Sequence, residues 1–312
     1  MEKAKPVAVL GTGVIGASWA ALFLAAGLKV RAYDPAENAE ESVRRCVENA
    51  WPAMTRLGLA GKGDPGGIEW FDKPEDAVAG AGFVQESVPE RIAAKHSLFA
   101  EIEDALDADT VVASSASGLM VSEMQKGWRD PSRFLLGHPF NPPHLIPLVE
   151  LLANDATADG VLEAAEVFYH SVGKVTIRVK REVPAHVANR LQAALWQEAI
   201  HLVRSGVASV EDVDKAVWAG PGLRWAAMGP HMLFHLGAGA GGMTEFCNRY
   251  APSFHRWWDD LGRVRLDESA ASDLARGVAA EVEGRDVAQA SAMRDELIVA
   301  MLAATAPIRG VK

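Results

Sequence analysis

Apolar and polar residues follow two different rhythms along this chain. In the first part, short apolar runs alternate with helical patterns. Val7-Ala8-Val9-Leu10 is an unbroken apolar run, and Lys29 to Tyr33 is a second strand-like run. Further strand candidates are Phe83–Gln85, Val111–Ala113, Phe134–Gly137, Ile146–Leu151 and Val175–Val179. Helical patterns fall at Ala17–Ala26, Ala39–Arg56, Ile92–Ala105 and Val161–His170, and Gly61 to Gly67 reads as a loop. Strands separated by helices imply a mostly parallel sheet wound on both faces. The rhythm changes at Pro184. From there to Ala304 almost only helical periodicity remains, broken at Gly206, Gly220-Pro221-Gly222, Gly229-Pro230 and Gly237 to Gly242. The pattern therefore predicts an α/β fold: a doubly wound, Rossmann-type domain over residues 1–183 and an all-α domain over 184–312. Pro184 suits the first turn of a long helix reaching Arg204, with Gly206 just past its end.

Pro6 to Leu28 carries no charge and follows Lys3 and Lys5, which imitates a signal peptide or a membrane span. Glycines at 11, 13 and 16 are poor in an apolar helix, and no small-residue cleavage pattern follows. A buried parallel strand and a buried helix account for the stretch better. The expectation is a cytoplasmic protein that neither enters a membrane nor is exported.

That first strand runs into Gly11-Thr12-Gly13-Val14-Ile15-Gly16, a G-x-G-x-x-G, and a helical pattern follows. Gly11 permits the tight turn, Gly13 lets backbone approach a pyrophosphate, and Gly16 allows close helix–strand packing. The phosphates would sit on free N–H groups of the helix N-terminus. Asp34 lies 18 residues beyond Gly16, at the end of the second strand. Its carboxylate can accept both ribose hydroxyls and would repel a 2′-phosphate, which favours NAD over NADP. The motif alone is weak; strand, glycines, helix, strand and acid in order make it strong.

Composition narrows the partners. The 312 residues are 49% hydrophobic and 23% charged, with a formal net charge of −10. Such a surface argues against nucleic acid and suits a cationic substrate. Cys46 and Cys247 stand far apart without metal-ligand spacing. They read as buried free thiols in a reducing compartment, and no metal is expected.

The candidate chemistry centres on Gly137-His138-Pro139-Phe140-Asn141-Pro142-Pro143, where a strand closes into a proline-rich loop. His138 is thereby held at a strand's C-terminal end, where ligands bind in open α/β sheets. Glu150 follows 12 residues on, an acid inside the apolar run Pro147 to Leu151. A buried carboxylate needs a partner, and an imidazole would serve. Glu150 would then hold one ring nitrogen and leave the other as a base. By spacing alone, His138 reads equally as a structural loop histidine and Glu150 as a strand-edge acid.

The Gly11–Gly16 motif, the stretch Gly137 to Glu150 and the segment Val187 to Ala199 together resemble the 3-hydroxyacyl-CoA dehydrogenase family, over nearly the whole chain. The resemblance implies that His138 and Glu150 handle the proton. It implies that Asn189 hydrogen-bonds the reacting oxygen, that Ser117 contacts substrate, and that Glu90 and Lys95 meet the nicotinamide side of NAD. It also implies a homodimer. One departure lies at Ser114-Ser115-Ala116-Ser117-Gly118, where the family usually has S-N-T-S-S; Ser117 is kept and its neighbours differ. A second departure is the lysine-rich hairpin with which the relatives meet CoA phosphates. Here Glu37 to Ile68 is short and mixes Glu40, Glu41 and Glu48 with only Arg44, Arg45, Arg56 and Lys62. That argues against a CoA thioester.

The second half resembles the L-carnitine dehydrogenase branch at Gly220 to Pro230, at Phe234-His235-Leu236-Gly237 and at Trp257-Trp258. Of nine tryptophans, Trp196, Trp218, Trp225, Trp257 and Trp258 lie in this part, joined by Phe234, Phe246 and Tyr250. Aromatic faces bind quaternary ammonium groups, and Arg224 could clamp a carboxylate. Each aromatic taken singly reads more simply as core or dimer interface. The expected substrate is a small zwitterion with Arg224, Trp225 and Phe234 around it, and the expected reaction is NAD-dependent oxidation of L-carnitine to 3-dehydrocarnitine. L-Gulonate 3-dehydrogenase, a short-chain 3-hydroxyacyl-CoA dehydrogenase and a crystallin-like NAD-binding structural protein are the alternatives.

Overall fold

The computed structural model describes residues 5–61 and 63–309. Eight strands form one sheet: β1 (Val7–Leu10), β2 (Val30–Tyr33), β3 (Ile68–Trp70), β4 (Phe83–Glu86), β5 (Val111–Ser114), β6 (Phe134–Pro139), β7 (Leu148–Leu152) and β8 (Val175–Arg178). Their spatial order is β3-β2-β1-β4-β5-β6-β7-β8. All neighbouring pairs are parallel except β6 with β7. β7 returns directly from β6, and such a short connection can only make an antiparallel pair.

The helices of this part are α1 (Val14–Ala25), α2 (Ala39–Arg56), α3 (Pro74–Val78), α4 (Ile92–Ile102), α5 (Val121–Met124) and α6 (Val161–Ser171). They cover both faces of the sheet, and β1 shows why its residues are all apolar. Val7 and Val9 join one core with α1, α2 and α6, whereas Ala8 and Leu10 join the other with α3 and α4. α1 lies under the first of these cores and is buried on nearly all sides from Gly16 to Ala25. No described helix is long and apolar enough to cross a membrane.

Helices α7 (Ala188–Arg204), α8 (Val210–Ala219), α9 (Pro221–Ala227), α10 (Pro230–Gly237), α11 (Gly242–Asp260), α12 (Glu268–Glu281) and α13 (Val287–Arg309) follow. The chain divides into two compact units, one reaching to Ala188 and including the stretch from Arg294 onward, the other Asn189–Met293. Within the second unit α8 packs on α9 and α12, and α10 on α11.

Several expectations change. Pro184 does not open α7. Pro184 to Val187 form a turn in which Ala185 and His186 have φ of +63° and +51°, so the helix starts only at Ala188. Its C-terminal end is as expected: Gly206 adopts φ +72° and its N–H donates to the Val203 carbonyl. Cys247 is exposed and Cys46 half-buried, and both are free; the helical pattern around them carried too weak a signal of facing. Strand β3 and helix α3 were missed because three and five residues show no period.

A buried polar network crosses the sheet below the site. The Tyr169 hydroxyl donates to Gln85 Oε1 at 2.6 Å, and Gln85 Nε2 donates to Ser115 Oγ at 2.9 Å. Gly137 is glycine because a Cβ there would lie 2.2 Å from the Tyr169 hydroxyl oxygen. Tyr169→Phe strips one partner from a fully buried amide, and should cost about 1–3 kcal/mol. Chemical unfolding of the two proteins compares this directly; equal midpoints would mean the network carries no net stability.

Candidate active site

The antiparallel turn from β6 to β7 sets His138 directly opposite Glu150. Residues paired across an antiparallel ladder bring their side chains together on one face. His138 Nδ1 and Glu150 Oε2 are 2.8 Å apart, with His138 4% and Glu150 0% exposed. The second oxygen, Oε1, accepts the N–H groups of Val187 and Ala188 at 3.0 and 2.9 Å. Burial pushes the Glu150 pKa up, but the His138 hydrogen bond and the two amides outweigh it. The carboxyl is held below its ordinary range. An ionised Glu150 takes the proton on Nδ1 and leaves Nε2 with a free lone pair.

The proline-rich loop between the two strands is anchored from beneath. His144 Nδ1 lies 2.8 Å from Ser18 Oγ in α1, and the His144 N–H donates to the same hydroxyl. The Lys174 ammonium donates to the carbonyls of Pro143 and Ile146 and lies 4.8 Å above the Trp19 ring. Burial pushes the Lys174 pKa down to about 7. These ties fasten the β6–β7 hairpin to the helix of the glycine motif. Ser18 and Lys174 were missed from sequence, where each is an ordinary residue of a helix or a strand entry.

Ser117 and Glu90 are paired with each other. The Ser117 hydroxyl donates to Glu90 at 2.6 Å, and the backbone N–H groups of Ser117, Gly118 and Leu119 converge on the same carboxylate. Burial pushes the Glu90 pKa up, and these four donors outweigh it, leaving it below the ordinary range. Lys95 sits differently from the expected nicotinamide contact. It is 1% exposed and its ammonium is held by Glu86 at 2.6 and 2.8 Å. Glu86 also takes the Val88 N–H at 2.8 Å. Lys95 thus shapes the backbone after β4, which closes over Gly11.

The glycine motif has the form a dinucleotide needs. Gly11 has φ +84° and a Cβ there would lie 2.6 Å from Val88 N, and one on Gly16 would lie 1.8 Å from the Gly11 carbonyl oxygen. A Cβ on Gly13 would meet nothing within 4 Å, so backbone there is open to an approaching group. No side chain caps α1 and its first turn carries no acid, so the N–H groups of Val14 and Ile15 stand ready for an anion. Val14 itself is exposed and Ile15 half-buried. Asp34 is oriented by Thr12 N at 2.7 Å and Ala36 N at 2.9 Å. It borders a cleft of about 620 Å³ that Glu40, Glu41 and Asp72 also line. Residues and backbone here fit an NAD adenosine and pyrophosphate, and the negative lining suits a ribose without phosphate.

Asn189 directly follows Ala188 in the first turn of α7, where the chain enters the second unit. Arg224 and Trp225 stand side by side on α9, both exposed. Phe234 belongs to α10 and stacks on Phe246 of α11 at 4.7 Å, with Phe254 edge-on at 5.5 Å. His138, Glu150, Ser117, Glu90 and Lys95 belong to the first unit, and Asn189, Arg224, Trp225 and Phe234 to the second.

The family model described as 3-hydroxyacyl-CoA dehydrogenase, NAD binding domain, matches residues 6–183, and that of the C-terminal domain matches residues 186–266. An L-carnitine dehydrogenase of Streptomyces coelicolor is 45% identical over 97% of this chain and 96% of its own. One from a Pseudomonas species is 41% identical over 96% and 94%. Among solved structures, an NAD-dependent FHMPC 5-dehydrogenase superposes with a TM-score of 0.82 at 29% identity, covering 99% of this chain and 100% of its own.

Proposed function

The chain belongs to the 3-hydroxyacyl-CoA dehydrogenase family of NAD-dependent oxidoreductases, and we propose from that premise that it oxidises L-carnitine to 3-dehydrocarnitine. The observation that carries the chemistry is the buried His138–Glu150 pair at 2.8 Å. His138 Nε2 takes the proton of the C3 hydroxyl. Glu150 stabilises the imidazolium that results, already holding its Nδ1 proton. Asn189 orients the reacting oxygen, and Ser117 acts there through the loop that Glu90 organises. Bound NAD would supply the hydride acceptor, with the Val14 and Ile15 N–H groups placed to hold its pyrophosphate and Asp34 its adenosine ribose. The identity of the relatives and the acidic net charge of −10 support a cationic substrate. Arg224 is assigned the carboxylate, with Trp225 and Phe234 assigned the trimethylammonium side. A cytoplasmic homodimer completes the reading, supported by two free cysteines and by exposed Trp257 and Trp258 on α11. Initial rates of NAD reduction with L-carnitine test the assignment; no turnover would end it.

The cofactor preference gives a separate prediction. A 2′-phosphate would enter the cleft bordered by Asp34, Glu40 and Glu41. The clash should cost about a kcal/mol or more, so NADP should be at least ~10-fold poorer in kcat/KM. Equal values for the two cofactors would remove the role given to Asp34.

A further inference from the structure

Of the described residues, two side chains bury a polar atom that has no hydrogen-bond partner: Trp128 through its indole N–H, and His186 through both ring nitrogens. His186 is 2% exposed and its ring centroid is 5.3 Å from that of His138. The Ala116 backbone lies near enough to perturb the ring without the geometry of a hydrogen bond. The backbone that delivers it is unusual as well. Ala185 and His186 are consecutive left-handed residues, a conformation uncommon outside glycine. The turn is fixed by what comes next, since Val187 and Ala188 donate their N–H groups to Glu150. A phenylalanine would fill the same space without leaving two polar atoms dry. An orphaned polar group beside a catalytic base calls for a partner that arrives with the substrate.

We infer that His186 is a specificity-determining residue, whose ring N–H donates a hydrogen bond to one carboxylate oxygen of the 3-hydroxy acid, the other being left to Arg224, while the hydroxyl lies on His138. The two oxygen functions of such a substrate sit on carbons two bonds apart, and two rings 5.3 Å apart can straddle them. Burial first, and His138 second, hold the His186 pKa below its ordinary value, against the opposing pull of Glu150, the Ala116 backbone and Glu90. A neutral ring has the one N–H this needs and does not repel the imidazolium that His138 becomes. Both nitrogens are out of reach of solvent here, so the His186 side chain rotates as the carboxylate enters, while Val187 and Ala188 stay on Glu150. The inference rests on the reading above for the substrate class alone, a carboxylate on C1 and a hydroxyl on C3; it does not need the trimethylammonium group.

His186→Phe and His186→Gln, each in the full chain with NAD, test it through initial rates with L-carnitine and with 3-hydroxybutyrate. Thermal midpoints with NAD bound are measured alongside. His186→Phe should lower kcat/KM for both acids at least ~10-fold, chiefly through KM. Its thermal midpoint should be equal or higher, because two unsatisfied polar atoms are gone. His186→Gln keeps a donor and should recover part of the loss. A His186→Phe enzyme within about twofold of the parent would reduce the ring to packing. A lower kcat at unchanged KM would show action through His138 instead, and a midpoint that falls together with the rate would show a structural role. Either outcome overturns the inference. If the parent oxidised 3-hydroxybutyrate and not L-carnitine, the substrate reading would fall while His186 is still judged on 3-hydroxybutyrate.

Discussion

His138→Ala is expected to lower kcat by roughly 100-fold or more and to leave NAD affinity nearly unchanged. The residue has no place among the groups around the glycine motif, so its loss should spare cofactor binding. It does keep one ring nitrogen for a proton once Glu150 has claimed Nδ1. Glu150→Gln should also reduce kcat, because an amide stabilises an imidazolium less well than a carboxylate. The pH dependence follows in sign. The Glu150 carboxyl is held below its ordinary value. Its contribution is therefore complete at neutral pH and is lost as pH falls through the folded-state value. The acidic limb of the rate profile should move in Glu150→Gln, and its stability should lose that acid-side dependence. Stopped-time rates and NAD titrations of the three proteins decide the matter. Near-normal turnover in His138→Ala would put the base elsewhere.

Replacing L-carnitine by 3-hydroxybutyrate should lower kcat/KM at least ~30-fold, since a desolvated cation–π contact is worth about 2 kcal/mol or more. The two acids share the hydroxyl and the carboxylate and differ in the cation. A hydroxyacyl-CoA should be poorer still. The arginines that could have met its phosphates are already engaged: Arg44 with Glu40 at 2.7 Å, Arg45 with Glu41 at 3.0 Å and Arg56 with Glu296 at 2.5 Å. Engaging a phosphorylated nucleotide there would mean breaking these pairs beside the carboxylates that make them. Faster turnover of 3-hydroxybutyryl-CoA or L-gulonate than of L-carnitine under matched conditions would end the substrate assignment. The fold, the cofactor and the proton chemistry of His138 would stand.

Much of the first unit was legible because its physics is local. Buried parallel strands need unbroken apolar runs, and Val7 to Leu10 is one. The tight turn and the close packing at Gly11 and Gly16 exclude a Cβ, which leaves glycine as the mark. His138 and Glu150 were legible as candidates because a buried carboxylate needs a partner, while their spacing left a structural reading equally open; the β6–β7 register then sets them opposite each other. Other features depend on groups remote along the chain. Nothing around Lys95 in sequence reveals that its ammonium is buried on Glu86. Pro184 looked like a helix start, yet the two amides that follow it are claimed by Glu150, and that holds the chain in a left-handed turn and delays α7 to Ala188. His186 became visible only through that turn. Phe234 also rests against Phe246 and Phe254, contacts that the sequence did not show. The sequence by itself determined the strands other than β3 and the glycine turn, since backbone sterics and apolar runs act over a few residues. Which polar atoms are paired and which are left waiting was decided only by the tertiary structure, because burial is a property of everything packed around them.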